Sequence, residues 1–372
     1  MRFSEYTDEW ELYSLDDLTT VIQSGKSNKN INAMYNLYGS TGCIGKTNSI
    51  EIKGESILIA RVGANAGTVQ YINDICGVSD NTLIIKLKND LNYKFLYYSL
   101  IIYNFNKIIV NSGRPLITAS DLKTIRIQIP SIDEQKKIAC FLYNIDKKIE
   151  LLKDKKEGFV EFKHYLLQNL FPQNDEKTPK LRFTEYNDEW ITRKIENIAE
   201  ICDGTHTTPN YVYSGIKFIS VENIDDFSKS NKFIEEEVYQ NYKIKSKKND
   251  IFLTRIGTIG ESNIIIEDET YAYYVSLALI RCNYEVNPLY LNQYLKSDFF
   301  QRELWNKTLH NAIPKKINLK DLKQCFVSFP MLKEQFKIAS FLSSVDKKID
   351  LLDQEIELVE EYKKGLLQKM FI

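Results

Sequence analysis

The strongest constraint on the fold is a segment that the chain carries twice. Residues 129–152 read IPSIDEQKKIACFLYNIDKKIELL and residues 329–352 read FPMLKEQFKIASFLSSVDKKIDLL, with 14 of 24 positions identical at a constant separation of 200. A shorter match joins RFSEYTDEW at residues 2–10 to RFTEYNDEW at residues 182–190. The order of short motif, variable stretch and long segment therefore runs twice through the chain. This repetition predicts two similar halves related by a pseudo-two-fold axis.

Apolar residues in both long segments recur at alternating steps of four and three, which is the spacing of a coiled-coil seam. The candidate seam residues are Ile138, Leu142, Ile145, Ile149 and Leu152 in the first segment, and Ile338, Leu342, Val345, Ile349 and Leu352 in the second. Both seams are interrupted at the same place, by Lys163 and Lys363. A lysine stem there can lie along apolar surface or fix the register of the pair.

The matching lengths of the two segments favour one intramolecular helix pair. About 40 residues at roughly 1.5 Å per residue would make a rod of about 60 Å. The alternative is that the two helices pack on two separate domain cores.

The rest of the sequence predicts two globular domains of the α+β class, because strand and helix patterns are mixed without regular β-α-β alternation. Residues 172–181 form a polar linker, since Pro172 cannot continue a helix. The predicted order is a first domain at residues 1–130, a long helix at 131–171, the linker, a second domain at 182–330 and a second long helix at 331–372.

Composition excludes several classes of protein. No apolar run approaches the ~20 residues of a membrane span, and the polar start MRFSEYTDEW is unlike a secretory signal. The six cysteines are scattered without a Cys-x-x-Cys pair, which favours reduced thiols in the cytoplasm and argues against a zinc site. The net charge of −1 means that any basic surface for nucleic acid must be local.

Three patterns suggest catalytic or metal-binding motifs but lack the residues or the spacing that those motifs require. The run Gly39 to Thr47 resembles a phosphate-binding loop, but Ser40 stands where the first glycine of that motif is required. Asn287-Pro288-Leu-Tyr lacks the second proline of the Asn-Pro-Pro-Tyr turn of amino-methyltransferases, and predicts a helix start. The three histidines have no matching nucleophile or metal-ligand spacing. The residues therefore predict no catalytic site.

What remains is a set of basic and polar residues on glycine-rich turns. Arg61 and Arg255 lie where a strand enters a turn, a position from which a guanidinium can reach a phosphate or a guanine edge. The alternative for each is a salt bridge within its own domain. The other candidate DNA-binding residues, any of which could instead be solvated loop, are Lys46, Asn65, Arg114, Thr205, His206, Thr207, Thr258, Lys315 and Lys316.

The start of each long segment, Pro130-x-x-x-Glu134-Gln135 and its repeat at residues 330–335, resembles the DNA-specificity subunit of type I restriction-modification systems. The RF-x-EY-x-DEW motifs, the YGSTG and DGTH-x-TP loops and the Arg-x-Gly turns are similar to the target-recognition domains of that family. The resemblance covers essentially the whole chain.

That resemblance implies two target-recognition domains joined by two long helices that form an antiparallel coiled coil. Loops within residues 13–128 would read one half of a gapped site in double-stranded DNA, and loops within residues 192–328 the other half. The helices would bind two modification subunits, which use S-adenosylmethionine to methylate adenine N6. Two restriction subunits would add translocation and cleavage that depend on ATP and Mg. The chain itself would be non-catalytic, with no cofactor or metal of its own.

Two other functions stay open at this point. A coiled-coil scaffold whose globular ends bind protein would need the same helices, and a stand-alone methyltransferase is a more distant alternative. The chain also begins directly at its first RF-x-EY-x-DEW motif, whereas Thr178-Pro-Lys-Leu precedes the second. We therefore expect a weaker junction between the first domain and the second long helix.

Overall fold

The fold is organised by two long helices, each of which contributes to both of the units into which the chain divides. The computed structural model describes residues 2–109, 115–173 and 176–371. One unit comprises residues 1–154 and 354–372, and the other comprises residues 155–353. Each unit thus combines a globular domain with the first part of one long helix and the last part of the other.

The first unit contains a six-stranded sheet and a two-stranded ribbon. Its strands are β1 (Glu11–Ser14), β2 (Thr19–Ser24), β3 (Tyr35–Gly39), β4 (Gly42–Thr47), β5 (Ile52–Ala60), β6 (Val69–Val78), β7 (Thr82–Leu87) and β8 (Arg126–Ile129). The sheet order is β2-β7-β5-β6-β3-β4, and β1 pairs with β8. Residues 57–60 of β5 are all buried, because the two faces of this strand contribute to two separate apolar clusters. Gly39 pairs with Gly42, so the stretch that resembled a phosphate-binding loop is a tight hairpin.

The helices of the first unit are α1 (Leu15–Leu18), α2 (Tyr93–Ile101), α3 (Ala119–Lys123) and the long α4 (Ile132–Asn169). Side-chain caps begin the three short ones. Asn92 caps α2 by accepting a hydrogen bond from Phe95 N at 3.0 Å. Thr118 and Asp121 form a reciprocal capping box at α3. Such caps satisfy backbone N–H groups that have no partner within the helix.

The second unit repeats this order with different sheets. Its strands are β9 (Ile191–Lys194), β10 (Ala199–Asp203), β11 (Ile216–Ile219), β12 (Phe233–Ile234), β13 (Ile251–Thr254), β14 (Ser262–Ile264), β15 (Ala272–Tyr273), β16 (Leu277–Cys282) and β17 (Phe326–Phe329). Its helices are α5 (Glu236–Gln240), α6 (Pro288–Leu295), α7 (Asp298–Asn306), α8 (Leu319–Lys323) and the long α9 (Leu332–Met370). The sheet orders are β10-β16-β13-β14 and β12-β11-β15, and β17 pairs with β9. Asn287 caps α6 and Pro288 occupies its first turn, which confirms the predicted helix start.

Within each unit, the beginning of one long helix packs against the end of the other, so the pair is antiparallel. Residues 138–142 of α4 share a buried cluster with residues 366–370 of α9 in the first unit. Residues 338–345 of α9 share another with residues 166–170 of α4 in the second. Both clusters include strands and short helices of the domain. The helices therefore pair, as expected, and also pack on the domain cores, as the alternative proposed.

Seven of the ten predicted seam residues belong to these clusters or pack against them, namely Ile138, Leu142, Ile145, Ile338, Leu342, Val345 and Ile349. Of all ten, Ile145, Leu152 and Ile349 are half-buried and the other seven are buried. Side chains already packed against their own domain leave little apolar surface for another protein. That the seam residues also take part in partner binding stays a prediction.

The lysines that interrupt the seam form ion pairs between the two helices. Lys163 of α4 lies 2.5 Å from Asp346 of α9 in the second unit, and Lys363 of α9 pairs with Asp146 of α4 in the first. All four side chains are largely shielded from solvent. The pairs are reciprocal, so a shift of either helix by one residue would break both. Of the two roles considered for these lysines, the ion pairs favour the one that fixes register.

Each of these aspartates is also held by its own domain. The Tyr98 hydroxyl donates to Asp146 at 2.7 Å, and the Gln293 side-chain amide donates to Asp346 at 2.7 Å. Burial raises the pKa of the Tyr98 hydroxyl, which keeps the hydroxyl protonated and able to donate. The two helices and the domain are therefore tied together at one carboxylate in each unit.

A buried carboxylate explains why the RF-x-EY-x-DEW motif and the Glu-Gln motif are duplicated together. Arg2 donates from Nε and Nη2 to the two carboxylate oxygens of Glu134, at 2.7 Å each. Arg182 makes the same two bonds to Glu334, at 2.8 Å each. Both glutamates are almost fully buried, so each needs the bidentate cation to offset its desolvation.

The glutamine that follows each glutamate joins the long helix to a short helix of the domain. Gln135 Oε1 accepts from Asn92 N at 3.0 Å, and Gln335 Oε1 accepts from Asn287 N at 2.8 Å. Each Nε2 donates to the carbonyl oxygen of the proline five residues earlier, at 2.9 Å in both copies. The spacing that the two repeats share thus produces the same pair of hydrogen bonds in each unit.

The expected weakness at the first junction is not seen. Arg2 makes the same contacts as Arg182, including a 2.6 Å bond from Nη2 to the backbone carbonyl six residues later. Trp10 packs edge-on against Phe95 of α2 and Phe371 at the end of α9, with ring centroids 5.8 and 6.2 Å apart. The first domain is therefore held to the first long helix by polar contacts and to the end of the second by aromatic contacts.

Candidate nucleic-acid interface

The loops that carry the candidate residues of the second domain meet at one end of its four-stranded sheet. β10 ends at Asp203 and β13 ends at Thr254, and these ends pair with the start of β16 near Leu277. Because β10 and β13 are both antiparallel to β16, the loops that follow them leave the sheet at the same end. Residues 309–317 join this end through hydrogen bonds to the β13–β14 turn.

Arg255 is fixed within this end of the sheet. Its Nη2 lies 2.9 and 2.8 Å from the two carboxylate oxygens of Asp203, its Nε lies 3.1 Å from Asp203 Oδ1, and its Nη1 donates to the Ile317 carbonyl at 3.0 Å. Only 7% of Arg255 is exposed. The structure thus gives Arg255 the in-domain salt bridge, the alternative to a DNA contact. Its guanidinium makes four hydrogen bonds within the domain, three to Asp203 and one to the Ile317 carbonyl.

The Thr205–Thr207 turn begins at the same ion pair. His206 Nε2 lies 3.2 Å from Asp203 Oδ2, with most of the imidazole exposed. Thr205 Oγ1 donates to the Thr207 carbonyl at 3.1 Å and accepts from Thr207 N at 3.3 Å. Asp203 therefore positions an exposed turn on one side and the buried arginine on the other.

Thr258, Lys315 and Lys316 are exposed on two loops that are joined to each other. Gly257 N donates to the Lys315 carbonyl at 2.8 Å, and Lys316 is bridged to Ile256. Gly257 has a φ of +86°, a conformation that L side chains rarely adopt, so glycine is needed for this turn. Three of the predicted residues are thereby placed on one surface with the Thr205–Thr207 turn.

In the first domain, the predicted residues that the structure describes lie on β4 and in the turn that follows β5. Lys46 is exposed on β4; its Nζ donates to Asn36 Oδ1 at 2.9 Å, and its carbonyl accepts from Asn30 N of that loop at 2.8 Å. Asn65 is exposed in a short 3₁₀ turn after β5. Arg114 falls outside the residues that the structure describes.

Arg61 occupies the place of Arg255 but lacks its partner. The Arg61 carbonyl accepts from Ile117 N at 2.8 Å, just as the Arg255 carbonyl accepts from the corresponding isoleucine. The neighbouring strand ends at Ser24, where the second domain has Asp203. Arg61 Nε is buried without a hydrogen-bond partner among the described residues. The first domain thus carries an arginine whose charge is not neutralised by the equivalent contact.

Comparison with known proteins identifies the family. The family model described as "Type I restriction modification DNA specificity domain" matches residues 7–158 and again residues 187–361. The chain belongs to the type I restriction-modification DNA specificity family. Each match spans one of the two repeats and includes most of the helix that follows it.

Relatives of this specificity family align with most of the chain. It is 24% identical over 344 residues to the type I restriction enzyme MjaVIII specificity subunit of Methanocaldococcus jannaschii, which covers 86% of this chain and 78% of the relative. It is 23% identical to a putative type I restriction enzyme specificity subunit of Haemophilus influenzae, over 95% of this chain and 91% of that protein. The crystal structure of the S subunit of a type I restriction-modification system from M. genitalium has the same fold, with a TM-score of 0.67 at 17% identity and coverage of 100% and 99%.

Sequence reasoning missed two residues of the candidate interface. Asp203 orders both Arg255 and His206, but nothing in the spacing of these residues reveals that they meet. Trp305 is exposed beside Lys315, with the ammonium 4.8 Å from the ring centroid. The sequence does distinguish Trp305, because the other two tryptophans lie within the two duplicated motifs.

Metal-ligand clusters and membrane-spanning helices were sought in residues 2–109, 115–173 and 176–371. No group of three or more histidine, cysteine, aspartate or glutamate side chains in these ranges is arranged to hold a metal ion. No helix in them combines the length and apolarity that crossing a membrane requires.

Proposed function

We propose that this chain reads a bipartite, gapped DNA site and directs partner subunits to it. The observation that carries the proposal is the double match to the DNA specificity family, together with two domains whose exposed polar and basic loops gather beside a sheet. The loops of the two domains differ, so the two half-sites should differ in sequence. Direct base contacts from such loops would supply the specificity.

The division of labour is part of the same proposal. This chain contributes recognition, and two modification subunits contribute S-adenosylmethionine and methylate adenine N6 after the base is flipped out of the duplex. Two restriction subunits would add ATP- and Mg-dependent translocation and cleavage. All six cysteines are free thiols, which fits the cytoplasmic location expected of a protein that acts on chromosomal DNA.

Apolar side chains on the outer faces of the long helices supply the partner surface that the buried seam does not. They include Leu151, Leu358 and Tyr362 in the first unit, and Val160, Phe162, Tyr165 and Leu351 in the second. Each of these side chains is more than one-third exposed. Exposed apolar surface on a rigid helix is typical of protein–protein contacts. We assign these faces to the modification subunits.

The scaffold alternative gains no support from the comparisons, since the relatives described above are specificity subunits. The two functions also differ in a measurable property. Binding through phosphate contacts weakens steeply as salt concentration rises, because counterions are released from DNA. A protein scaffold would show no sequence-specific binding to duplex DNA with its partners present.

The decisive experiment is a genome-wide map of N6-methyladenine in the source cell, with this gene intact, deleted and restored. We expect a two-part gapped motif that vanishes on deletion and returns on restoration. A map that is unchanged by deletion, while the chain and a modification subunit are both expressed in the intact strain, would rule out the proposed function.

A further inference from the structure

The loop between Leu309 and Lys316 presents an apolar tip on a fixed base. Ile313 is 100% exposed, and Trp305, which precedes the loop, is 54% exposed. Leu309 N donates to the Lys316 carbonyl at 2.8 Å and closes the loop, and Ala312 N donates to the Leu309 carbonyl at 3.3 Å within it. The tip is therefore held in place without being packed on the domain core.

Lysines lie on both sides of this tip in the sequence. Residues 307–316 contain three lysines and one histidine and no acidic residue, in a chain whose net charge is −1. The His310 ring centroid lies 4.4 Å from the Trp305 ring centroid, and Lys315 Nζ is 4.8 Å from it. A local excess of positive charge beside exposed apolar groups matches a polyanion that also offers an apolar group. Duplex DNA has both, because its phosphates border a major groove in which thymine presents a methyl group.

The loop also belongs to the surface on which the predicted residues of the second domain converge. Gly257 N donates to the Lys315 carbonyl, and Ile317 N donates to the Arg255 carbonyl at 2.9 Å. These bonds fix Ile313 relative to the Thr258 turn and to the buried arginine. A side chain held in this way can discriminate between bases, because its position does not adapt to the sequence it meets.

We propose that Ile313 determines specificity in the second domain by contacting a thymine methyl group in the half-site that this domain reads. Lys315 and Lys316 contact the neighbouring phosphates. The proposal rests on the proposed function. In the first repeat, the position 200 residues earlier is Gly113, which has no side chain for such a contact. Replacement of Ile313 should therefore affect one half-site only.

The test uses the complex of the full chain with its modification subunit and duplexes that carry the mapped motif. Each thymine is replaced in turn by uracil, which removes only the methyl group. We expect one substitution, in the second half-site, to weaken binding of the wild type about 5-fold. The same substitution should leave Ile313→Ser unaffected, whereas Ile313→Val, which keeps an apolar surface, should retain most of the penalty.

Ile266→Ser is the matched control. Ile266 is 62% exposed in the same domain, and it follows β14 at the end of the sheet that pairs with the start of β13, away from the Thr254 end. This variant should show the wild-type uracil penalty. Assembly with the modification subunit, measured by size-exclusion chromatography, should be unchanged in all variants.

Two results would overturn the inference. If Ile313→Ser shows the full uracil penalty, the tip does not contact a methyl group. If Ile313→Ser fails to assemble with the modification subunit while Ile266→Ser assembles, the tip docks protein. Loss of the proposed function is separate, because it would appear in the wild type as the absence of any specific duplex binding, and the inference would then fail with it.

Discussion

At the residue scale, one side chain separates two arginines that occupy equivalent places. Asp203 gives Arg255 a bidentate partner inside the second domain, whereas Ser24 leaves Arg61 without one. The same strand–turn motif therefore contains a paired arginine in the second domain and an arginine without the equivalent carboxylate in the first. Among the described residues, Arg61 Nε has no hydrogen-bond partner in the first domain, whereas Arg255 links two loops of the second.

Removal of Asp203 tests the structural role of Arg255. Asp203→Ala leaves the guanidinium buried without its carboxylate, which should lower the free energy of unfolding of the second domain by about 3 kcal/mol. Urea unfolding followed by tryptophan fluorescence measures this change. Ser24→Ala at the equivalent place should change stability by less than about 0.5 kcal/mol. Equal effects in the two domains would contradict the assignment.

Arg61 is expected to act on DNA and not on stability. Arg61→Ala should weaken duplex binding by the assembled complex about 10-fold, the effect of one lost charge-assisted hydrogen bond, with little change in the urea midpoint. Ser24→Asp should weaken binding similarly, because it supplies the carboxylate that captures the arginine in the second domain. Unchanged affinity in both variants would show that Arg61 does not contact DNA.

The sequence left both arginines with two possible roles and could not choose between them. Arg255 and Asp203 are separated by 52 positions and meet only because β10 and β13 flank the same strand. Positions such as Lys315 and Thr258 could be proposed from residue type and turn context. Their convergence on one surface depends on backbone bonds between loops, which leave no pattern in the sequence.

At the element scale, the spacing of apolar residues predicts both long helices and their pairing. The same spacing flags Lys163 and Lys363 as interruptions but cannot give their partners, which lie on the other helix. In the structure, Lys163 pairs with Asp346 and Lys363 pairs with Asp146. The two interruptions of the apolar seam therefore carry ion pairs that join the two helices and favour one register. The duplicated Arg–Glu and Gln–Asn contacts explain the remaining identities of the repeat.

Charge reversal tests whether the ion pair between Lys163 and Asp346 fixes the register of the two helices. Asp346→Lys places a second ammonium group beside Lys163 in a partly buried site and should cost about 2 kcal/mol of unfolding free energy. The swap Lys163→Asp with Asp346→Lys should recover about half of that loss, measured as a coupling energy in a double-mutant cycle. Glu150→Lys, which breaks the exposed Lys147–Glu150 pair within one helix, should cost no more than about 0.5 kcal/mol. An additive cycle would contradict a register role.

At the scale of the whole molecule, a net charge of −1 must coexist with DNA binding. The proposed resolution is local, with cations placed on loops such as residues 307–316. The α+β class and the repeated order of elements follow from the sequence. The different sheets of the two domains do not, because the variable stretches share too little pattern to reveal a six-stranded sheet in one and two smaller sheets in the other.

Salt dependence measures that local charge. Replacement of Lys315 and Lys316 by glutamine should reduce the slope of log affinity against log salt by about 2, or about 1 for each lost phosphate contact. Lys247 and Lys248 are also adjacent and exposed in the second domain, but they precede β13 at the other end of its sheet. Their double replacement should leave the slope unchanged. A common decrease in both variants would indicate a diffuse field and not a defined contact.

The closed loop of residues 309–316 also has a kinetic consequence. A loop that is already ordered by its own backbone bonds pays little conformational entropy when it meets DNA. The rate at which the complex associates with DNA is then set by electrostatic attraction. The contacts of the loop tip affect only the rate at which the complex dissociates. Changes at Ile313 should therefore lengthen or shorten residence time on the duplex, while changes at Lys315 and Lys316 should alter how fast the complex arrives.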